Sequence, residues 1–436
     1  MAASHAATAR FWARLGNQLG KKVHESNIRK LGPLSVSAVG FGGYRATIDD
    51  AKHIKALIKA IEGGVNLIDT APTYKNGASE VLIGSVLNLL AEQKRLERDE
   101  VVIMTKAGYI EGPELELARK SPPEEYLELS PDSWHCIHPD YIEQQVEAST
   151  RRLGTIPDIV LLHSPEFFIS NPPHGTAGGR GLEGIHDAFY ERVERAFVRL
   201  EKMIDEGKVG HYYGVSSSLQ GCDYSVTGRN NAAEGPSLRR LLDHAELAAK
   251  KVTKSNDIPV SPSHRFKVAQ IPLNLIESGP SVQCLLDPES ENMISTLEAA
   301  EKNDVFVVTN RPINAIAPEG IGAGDWGRQS SYFKLADKLP MSPELSLMRQ
   351  AIHTALKGEC GDVYQCERLA LWLASSARGV GATLCGATSE KYIDDILEVL
   401  HHERLKPQGC QDAFDAVDSL MCELSPTYAL NRSRGM

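Results

Sequence analysis

Short apolar stretches alternate with segments of helical periodicity from residue 35 to residue 386. Each apolar stretch is continuous over five to eight residues, which is typical of strands buried on both faces of a parallel sheet. The segments between them place apolar residues on one helix face, as Ile54, Leu57, Ile58 and Ile61 do. The pattern predicts eight strands, at residues 35–40, 65–69, 101–106, 158–163, 211–217, 268–275, 305–310 and 381–386.

Eight strand–helix units favour an α/β fold of the closed (β/α)8 TIM barrel type. An open doubly wound sheet is the alternative, and it fits the number of strands less well. Long irregular stretches interrupt the pattern at residues 109–139, 170–184, 220–237 and 312–345. Three of them directly follow strand ends, so we expect long active-site loops. We predict a single barrel domain over residues 31–436, preceded by a short N-terminal extension, residues 1–30.

The first residues differ in composition from the rest of the chain. Residues 1–24 contain four Lys or Arg residues and no acid, and Phe11, Leu15 and Leu19 repeat at four-residue spacing. This pattern predicts a basic amphipathic helix, and the composition is that of an organellar transit peptide. The alternative is a disordered or surface-packed extension of a cytosolic enzyme. We therefore expect a cytoplasmic or mitochondrial protein.

Charge and cysteine content limit the classes of partner. The net charge of −10 argues against nucleic acid, since no basic face dominates. No run approaches the roughly 20 apolar residues needed to span a bilayer, so no membrane partner is expected. Eight scattered cysteines without a CxxC pair predict reduced thiols rather than the disulfides of a secreted protein.

Four polar residues stand at or just beyond the ends of successive predicted strands: Asp69, Tyr74, Lys106 and His163. Carboxyl ends of barrel strands carry the chemistry of this fold, so these side chains are expected to meet. Hydride transfer to a carbonyl needs an acid, and a tyrosine at its ordinary pKa near 10 is a weak one at neutral pH. A neighbouring ammonium lowers that pKa, a carboxylate keeps the ammonium charged, and a histidine can orient the carbonyl.

The ordered motifs resemble those of the aldo-keto reductase superfamily. They are the segment 64–71 with Tyr74 and Gly84, the strand ending at Lys106, the strand ending at His163, and the segments 207–210 and 214–217. The resemblance implies an NAD(P)-dependent oxidoreductase that interconverts an aldehyde or ketone and its alcohol, with Tyr74 as general acid/base. It further implies that Lys106 and Asp69 tune Tyr74 and that His163 positions the carbonyl.

The same resemblance implies NAD or NADP as the cofactor, bound at the barrel rim because the chain has no GxGxxG turn. Its nicotinamide would lie near Gly42 and Gly43, with the carboxamide held by Ser216, Ser217 and Gln270. Further contacts are expected from the segments after strands seven and eight, namely Asn310, Arg311, Gly386, Ala387, Thr388 and Tyr392.

Two of those segments depart from the family pattern. Many members stack an aromatic side chain on the nicotinamide after strand seven, where this chain reads Asn310-Arg311-Pro312; Arg311 could instead meet the pyrophosphate. Thr388 and Tyr392 stand where NADP-selective members commonly have arginine, which favours NAD or the use of both cofactors.

Three further hypotheses concern the substrate, a second function and a metal. The Asn-Arg-Pro segment and the polar loops resemble sugar-oxidising members, so a sugar converted to its lactone is one substrate hypothesis. A cofactor-binding regulatory or redox-sensing subunit with little turnover is the alternative function. The sequence His135-Cys136-Ile137-His138 bunches ligand-type residues, but no second pair stands at zinc-site spacing, so we expect no metal and a loop that lines the pocket.

Overall fold

The structure is a computed structural model. It describes residues 2–19, 23–176, 181–217, 236–253, 264–275, 277–281, 285–286, 292–313, 343–361, 363, 366–386 and 388–424.

Eight parallel strands close into a barrel and follow one another around it in chain order, as predicted. The ring closes where β8 pairs with β1, through partners such as Cys385 and Phe41. Parallel strands that are buried on both faces explain the continuous apolar runs. The barrel strands are β1 (Val39–Gly42), β2 (Leu67–Asp69), β3 (Val102–Ala107), β4 (Ile159–His163), β5 (Tyr212–Ser216), β6 (Phe266–Pro272), β7 (Phe306–Asn310) and β8 (Val380–Gly386).

Helices surround the barrel, and their apolar faces form the main core with the outward side chains of the strands. In the described residues the helices are α1 (His5–Leu19), α2 (Ala51–Glu62), α3 (Ala78–Glu92), α4 (Gly112–Lys120), α5 (Pro139–Leu153), α6 (Phe167–Ser170), α7 (Gly181–Asp205), α8 (Leu238–Val252), α9 (Thr296–Lys302), α10 (Pro343–Leu356), α11 (Cys366–Ser376), α12 (Glu390–His401) and α13 (Pro407–Leu424). In the part of the chain that the structure describes, no helix combines the length and the apolar character needed to cross a bilayer.

A hairpin closes the amino-terminal end of the barrel. Its strands, Ile28–Leu31 and Leu34–Ser37, pair antiparallel, and Leu34 packs with the inward side chains Leu67 and Val102. The predicted first strand, residues 35–40, was therefore wrong in its bounds: residues 35–37 belong to the hairpin and β1 begins at Val39. A kink at Ala38 separates the two, and apolar periodicity does not reveal it because both strands are equally buried.

Residues 109–139 were predicted to be irregular, and this prediction was wrong. The strands Tyr109–Glu111, Leu127–Ser130 and Ser133–His135 form a three-stranded antiparallel sheet, with α4 between the first two. This inserted sheet directly follows β3, so it stands above the carboxyl end of the barrel. Its strands are three or four residues long, which is too short for an alternating pattern to be recognised.

The N-terminal helix α1 packs on the barrel. Phe11 is fully buried, and the Trp12 ring nitrogen donates a hydrogen bond to the Gly64 carbonyl at 2.9 Å. Arg14 donates two bonds to Glu100, at 2.8 and 2.6 Å. This is the arrangement that a surface-packed extension predicts, and it differs from the disorder expected of a removable targeting peptide. The domain boundary predicted at residue 30 falls inside the first hairpin strand; the compartment stays a prediction.

Candidate active site

Barrel register brings the predicted catalytic side chains to one rim. Asp69, the last residue of β2, pairs with Gly42 of β1 and with Met104 of β3. Lys106 lies two residues further along β3, and His163 ends β4 opposite Ser216. All these residues therefore stand at the carboxyl ends of neighbouring parallel strands, where barrel active sites are built.

Asp69, Lys106 and Tyr74 form one hydrogen-bonded group. The Lys106 ammonium donates to both carboxylate oxygens of Asp69, at 2.6 and 2.8 Å. It also lies 3.0 Å from the Tyr74 hydroxyl and 3.0 Å from the Thr70 carbonyl. Asp69 and Lys106 are buried, whereas Tyr74 is half-buried at the mouth of the barrel. The predicted trio is thus assembled at the carboxyl rim of the barrel.

Backbone geometry holds Tyr74 in this place. The Tyr74 amide donates to the Ala71 carbonyl at 3.1 Å, which tightens the turn after β2. Three residues with positive φ follow in succession, Lys75, Asn76 and Gly77. Left-handed backbone is costly for residues with a Cβ atom and persists where surrounding structure enforces it. The chain therefore reverses sharply after Tyr74 before α3 begins.

Burial and charge set the protonation states of the trio. Burial raises the pKa of Asp69, while Lys106 and Gln270 oppose that rise. For Lys106, burial alone would lower the pKa, but Asp69 and then Tyr74 raise it above its ordinary value. Burial also raises the pKa of Tyr74, more than Lys106 lowers it. The predicted lowering by Lys106 is present but is outweighed, so Tyr74 keeps its proton at neutral pH.

His163 faces Tyr74 across the mouth of the barrel, with their ring centroids 6.2 Å apart. Burial and then the Lys106 charge hold the pKa of His163 well below its usual range. A neutral imidazole at neutral pH carries one N–H donor and one acceptor nitrogen. His163 is therefore suited to hydrogen-bond a carbonyl without adding a charge.

Gln270 connects the proton-handling group with the predicted carboxamide site. Its Nε2 donates to Asp69 at 2.8 Å, and its Oε1 accepts from Ser216 at 3.1 Å and from Asn310 at 3.2 Å. Sequence reasoning assigned Gln270 only to the cofactor. Its bond to Asp69 could not be inferred because the two residues are 201 positions apart in the chain.

Two buried polar atoms test whether this rim suits a nicotinamide carboxamide. Among the described side chains, the Ser217 hydroxyl and the Asn310 Oδ1 are buried without a hydrogen-bond partner. Buried polar atoms normally have hydrogen-bond partners, and a ligand bound at the rim could supply partners to these two oxygens. A primary amide has both a carbonyl acceptor and N–H donors, and it would satisfy both atoms. The residues present thus fit the cofactor implied by the resemblance.

The two glycines predicted at the cofactor site differ in their surroundings. A Cβ on Gly42 would meet the Cys385 backbone at 3.4 Å, an ordinary contact. A Cβ on Gly43 would come within 2.5 Å of the Ser79 hydroxyl and 2.8 Å of the Asp69 carbonyl. Gly43 is therefore required by packing between β1 and β2, whatever else it contacts.

The remaining predicted cofactor residues lie further around the rim. Gly386 ends β8 with open space beside its Cα, and Ala387 lies outside the described residues. Arg311 has a positive φ and pairs with Glu277 at 3.6 Å. Thr388 lies two residues before the start of α12, and the half-buried Tyr392 lies in the first turn of that helix. Their contact with a cofactor stays a prediction.

Aromatic residues that were not predicted from the sequence lie beside Tyr74 and His163. Tyr44, 60% exposed, places its ring 5.2 Å from Tyr74. Tyr109 packs its ring 4.6 Å from His163 and 5.5 Å from Phe167. Their position after strand ends could have indicated them, since Tyr44 lies two residues after β1 and Tyr109 two residues after β3. These rings form apolar walls beside the polar group, as small-molecule sites usually have.

The closed (β/α)8 barrel carries a Tyr–Lys–Asp group and a histidine at its carboxyl rim, which is the arrangement that the resemblance to aldo-keto reductases predicts. Residues 37–221 match the aldo/keto reductase family. This match, which covers less than half of the chain, confirms the resemblance to the aldo-keto reductase superfamily.

Curated relatives match parts of the chain. It is 36% identical over 141 residues to the NADH-specific methylglyoxal reductase of Escherichia coli (strain K12), covering 31% of this chain and 39% of that protein. It is 32% identical over 194 residues to aldo-keto reductase AMT2 of Alternaria alternata, covering 40% of this chain and 50% of that protein. The chain thus spans between about two fifths and half the length of these relatives.

Solved structures resemble the whole barrel. Aldo-keto reductase AKR11C1 from Bacillus halodurans, in its holo form, superposes with a TM-score of 0.55 over 89% of this chain and 96% of that one. The two sequences are 19% identical, so this likeness concerns the fold alone.

Proposed function

We propose that the chain catalyses nicotinamide-dependent interconversion of an aldehyde or ketone and its alcohol, with Tyr74 as the general acid/base. The observation that carries the proposal is the Lys106 ammonium, 3.0 Å from the Tyr74 hydroxyl and bound to both oxygens of Asp69. A neutral tyrosine beside a fixed ammonium can release its proton as negative charge develops on a carbonyl oxygen.

Each side chain has a defined part in that chemistry. Tyr74 holds the proton on its hydroxyl, and Lys106 stabilises the phenolate that remains after transfer. Asp69 keeps Lys106 charged and in place, while His163 orients the carbonyl through a neutral imidazole. A reduced nicotinamide, when bound, supplies the hydride. Ser217 and Asn310 would hold its carboxamide, because their oxygens are buried and lack partners among the described residues.

The narrower parts of the proposal concern cofactor and substrate. Thr388 and Tyr392, in place of arginine, support NAD or the use of both cofactors. The E. coli relative named as NADH-specific is consistent with this choice. A sugar oxidised to its lactone is the narrower substrate proposal, supported by the Asn-Arg-Pro segment and the polar loops.

The alternative, a regulatory or redox-sensing subunit with little turnover, is less well supported. A binding module needs the cofactor contacts but not a buried Lys106–Asp69 pair directed at a tyrosine hydroxyl. Burying that ion pair costs free energy, and cofactor binding alone gives no reason for this cost.

Turnover by the purified protein tests both functions. The substrates are a panel of aldehydes, ketones and aldoses, with NADH and NADPH and with the oxidised cofactors. We expect Tyr74→Phe to lower kcat by about 100-fold or more, the usual contribution of a general acid, while the Kd for NADH changes little. Tyr126→Phe is the matched control, since Tyr126 directly precedes the second strand of the inserted sheet and its hydroxyl donates to Glu128. Cofactor binding without turnover on any substrate would instead favour the regulatory subunit.

A further inference from the structure

We propose that His135 is a positioning residue for His163, acting through the backbone of the turn that carries it. The inference deepens the proposed function, since it concerns how the carbonyl-orienting imidazole is held. His135 belongs to the inserted sheet and not to the barrel.

One hydrogen bond connects the two histidines. The His135 Nε2 lies 2.8 Å from the backbone carbonyl of His163, and His135 is 1% exposed. A carbonyl only accepts, so Nε2 carries the proton and donates it. Burial lowers the pKa of His135 to about 4, so the imidazole is neutral at neutral pH. His135 therefore presents one fixed N–H to one carbonyl.

The bonded carbonyl lies at a strained point of the chain. Ser164, the next residue, has a φ of 52°, which is uncommon for a residue with a side chain. The Ser164 amide donates to the Ser216 carbonyl at 2.8 Å. The turn is thus held on one side by β5 and on the other by His135. Strained backbone persists only where its surroundings enforce it, so losing one support would let the turn relax.

Close packing at Gly108 leaves His135 little freedom. Gly108 follows β3 by one residue and has a φ of 148°; a Cβ there would lie 2.8 Å from His135 Nε2 and 2.9 Å from the His163 carbonyl. The Gly108 carbonyl accepts from the Cys136 amide at 2.8 Å, which ties His135's neighbour to the end of β3. His135 thus bridges the point where β3 and β4 separate, just beyond Lys106 and before the turn at Ser164.

Aromatic rings fix the plane of the His135 imidazole. Tyr109 and Phe167 contact it edge to face, with centroids 5.6 and 5.7 Å away. The same Tyr109 ring packs against the His163 imidazole, at 4.6 Å. A phenyl ring at position 135 would keep this packing and lose only the N–H donor. A His135→Phe variant therefore distinguishes the effect of the hydrogen bond from the effect of the ring's volume.

Steady-state kinetics of His135→Phe and His135→Gln, on the best carbonyl substrate, test the proposal. We expect His135→Phe to lower kcat/KM by about 10- to 100-fold, since misplacing an orienting group costs this much. The Kd for NADH should stay within about twofold of the wild type, because the cofactor residues lie on other strands. His135→Gln keeps an N–H donor and should recover most of the loss. The matched control is His211→Phe, directly before β5 at the amino-terminal end of the barrel, where Nε2 bonds the Ala3 carbonyl at 2.6 Å and kinetics should not change.

A second measurement does not depend on folding of a variant. Nitrogen chemical shifts of the wild-type histidines report which ring nitrogen is protonated. The proposal requires His135 to be neutral and protonated at Nε2 at pH 7. A charged His135, or one protonated at Nδ1, would overturn the proposal, as would unchanged kinetics in His135→Phe. Absence of turnover by the wild type would contradict the proposed function, while the shifts would still test the hydrogen bond.

Discussion

Replacing Asp69 by Asn should destabilise the barrel. It should also reverse the pH dependence of the stability that the buried Lys106 contributes. Asp69 and Lys106 are 3% and 1% exposed, and their charged atoms lie 2.6 Å apart. Removing one partner of a buried ion pair costs about 3–5 kcal/mol, because the other charge is left without compensation. The Thr70 carbonyl, 3.0 Å from Lys106, remains, so we expect about 3 kcal/mol at pH 7.

The pH dependence follows from the pKa of Lys106. In the wild type Asp69 raises the pKa of Lys106. The stability that this ion pair contributes is therefore present below the pKa of lysine in the unfolded chain, about 10.4, and declines as pH rises through the pKa in the folded protein. In Asp69→Asn burial acts without the carboxylate and lowers the folded pKa. The unfolded chain then binds more protons between the two values, and the stability of the variant rises with pH. The stability difference between the two proteins should therefore shrink from pH 7 to pH 9.5.

Urea denaturation followed by tryptophan fluorescence at pH 7 and at pH 9.5 measures both effects. Asp394→Asn is the control, since Asp394 pairs with Lys59 at 2.6 Å while its side chain is 59% exposed. Exposed pairs contribute at most about 1 kcal/mol, so this variant should change little at either pH. A loss below about 1 kcal/mol in Asp69→Asn, or a loss equal at both pH values, would refute the reasoning.

Two further predictions concern the N-terminal helix and the rim. Phe11→Ala should lower the free energy of unfolding by about 3–5 kcal/mol, because Phe11 of α1 is fully buried. A change below about 1 kcal/mol in urea denaturation would show that α1 adds little to the stability of the fold. Gly43→Ala should weaken both stability and NADH binding, since its Cβ would lie 2.5 Å from the Ser79 hydroxyl and 2.8 Å from the Asp69 carbonyl. Calorimetry of folding and of NADH binding checks it, and a variant equal to the wild type in both would contradict the packing argument.

Helices and strands with a long, regular hydrophobic pattern were predictable from the sequence. The eight barrel strands were found because each is a continuous apolar run, and the helix after β1 because Ile54, Leu57 and Ile61 repeat at helical spacing. The hairpin and the inserted sheet were not found. Their strands are three or four residues long, and a buried run such as residues 35–40 shows no signal at the kink that divides it.

For the site, the chain itself determined which chemical groups stand at strand ends. Asp69, Lys106 and His163 were recognisable because a parallel barrel brings every carboxyl strand end to one rim. Only the tertiary structure decided how those groups act on one another. Burial outweighs the ammonium in setting the pKa of Tyr74, and His135, 28 residues before His163, bonds to its carbonyl. Desolvation and long-range hydrogen bonds depend on which surfaces meet in space, and no local pattern of residues records this.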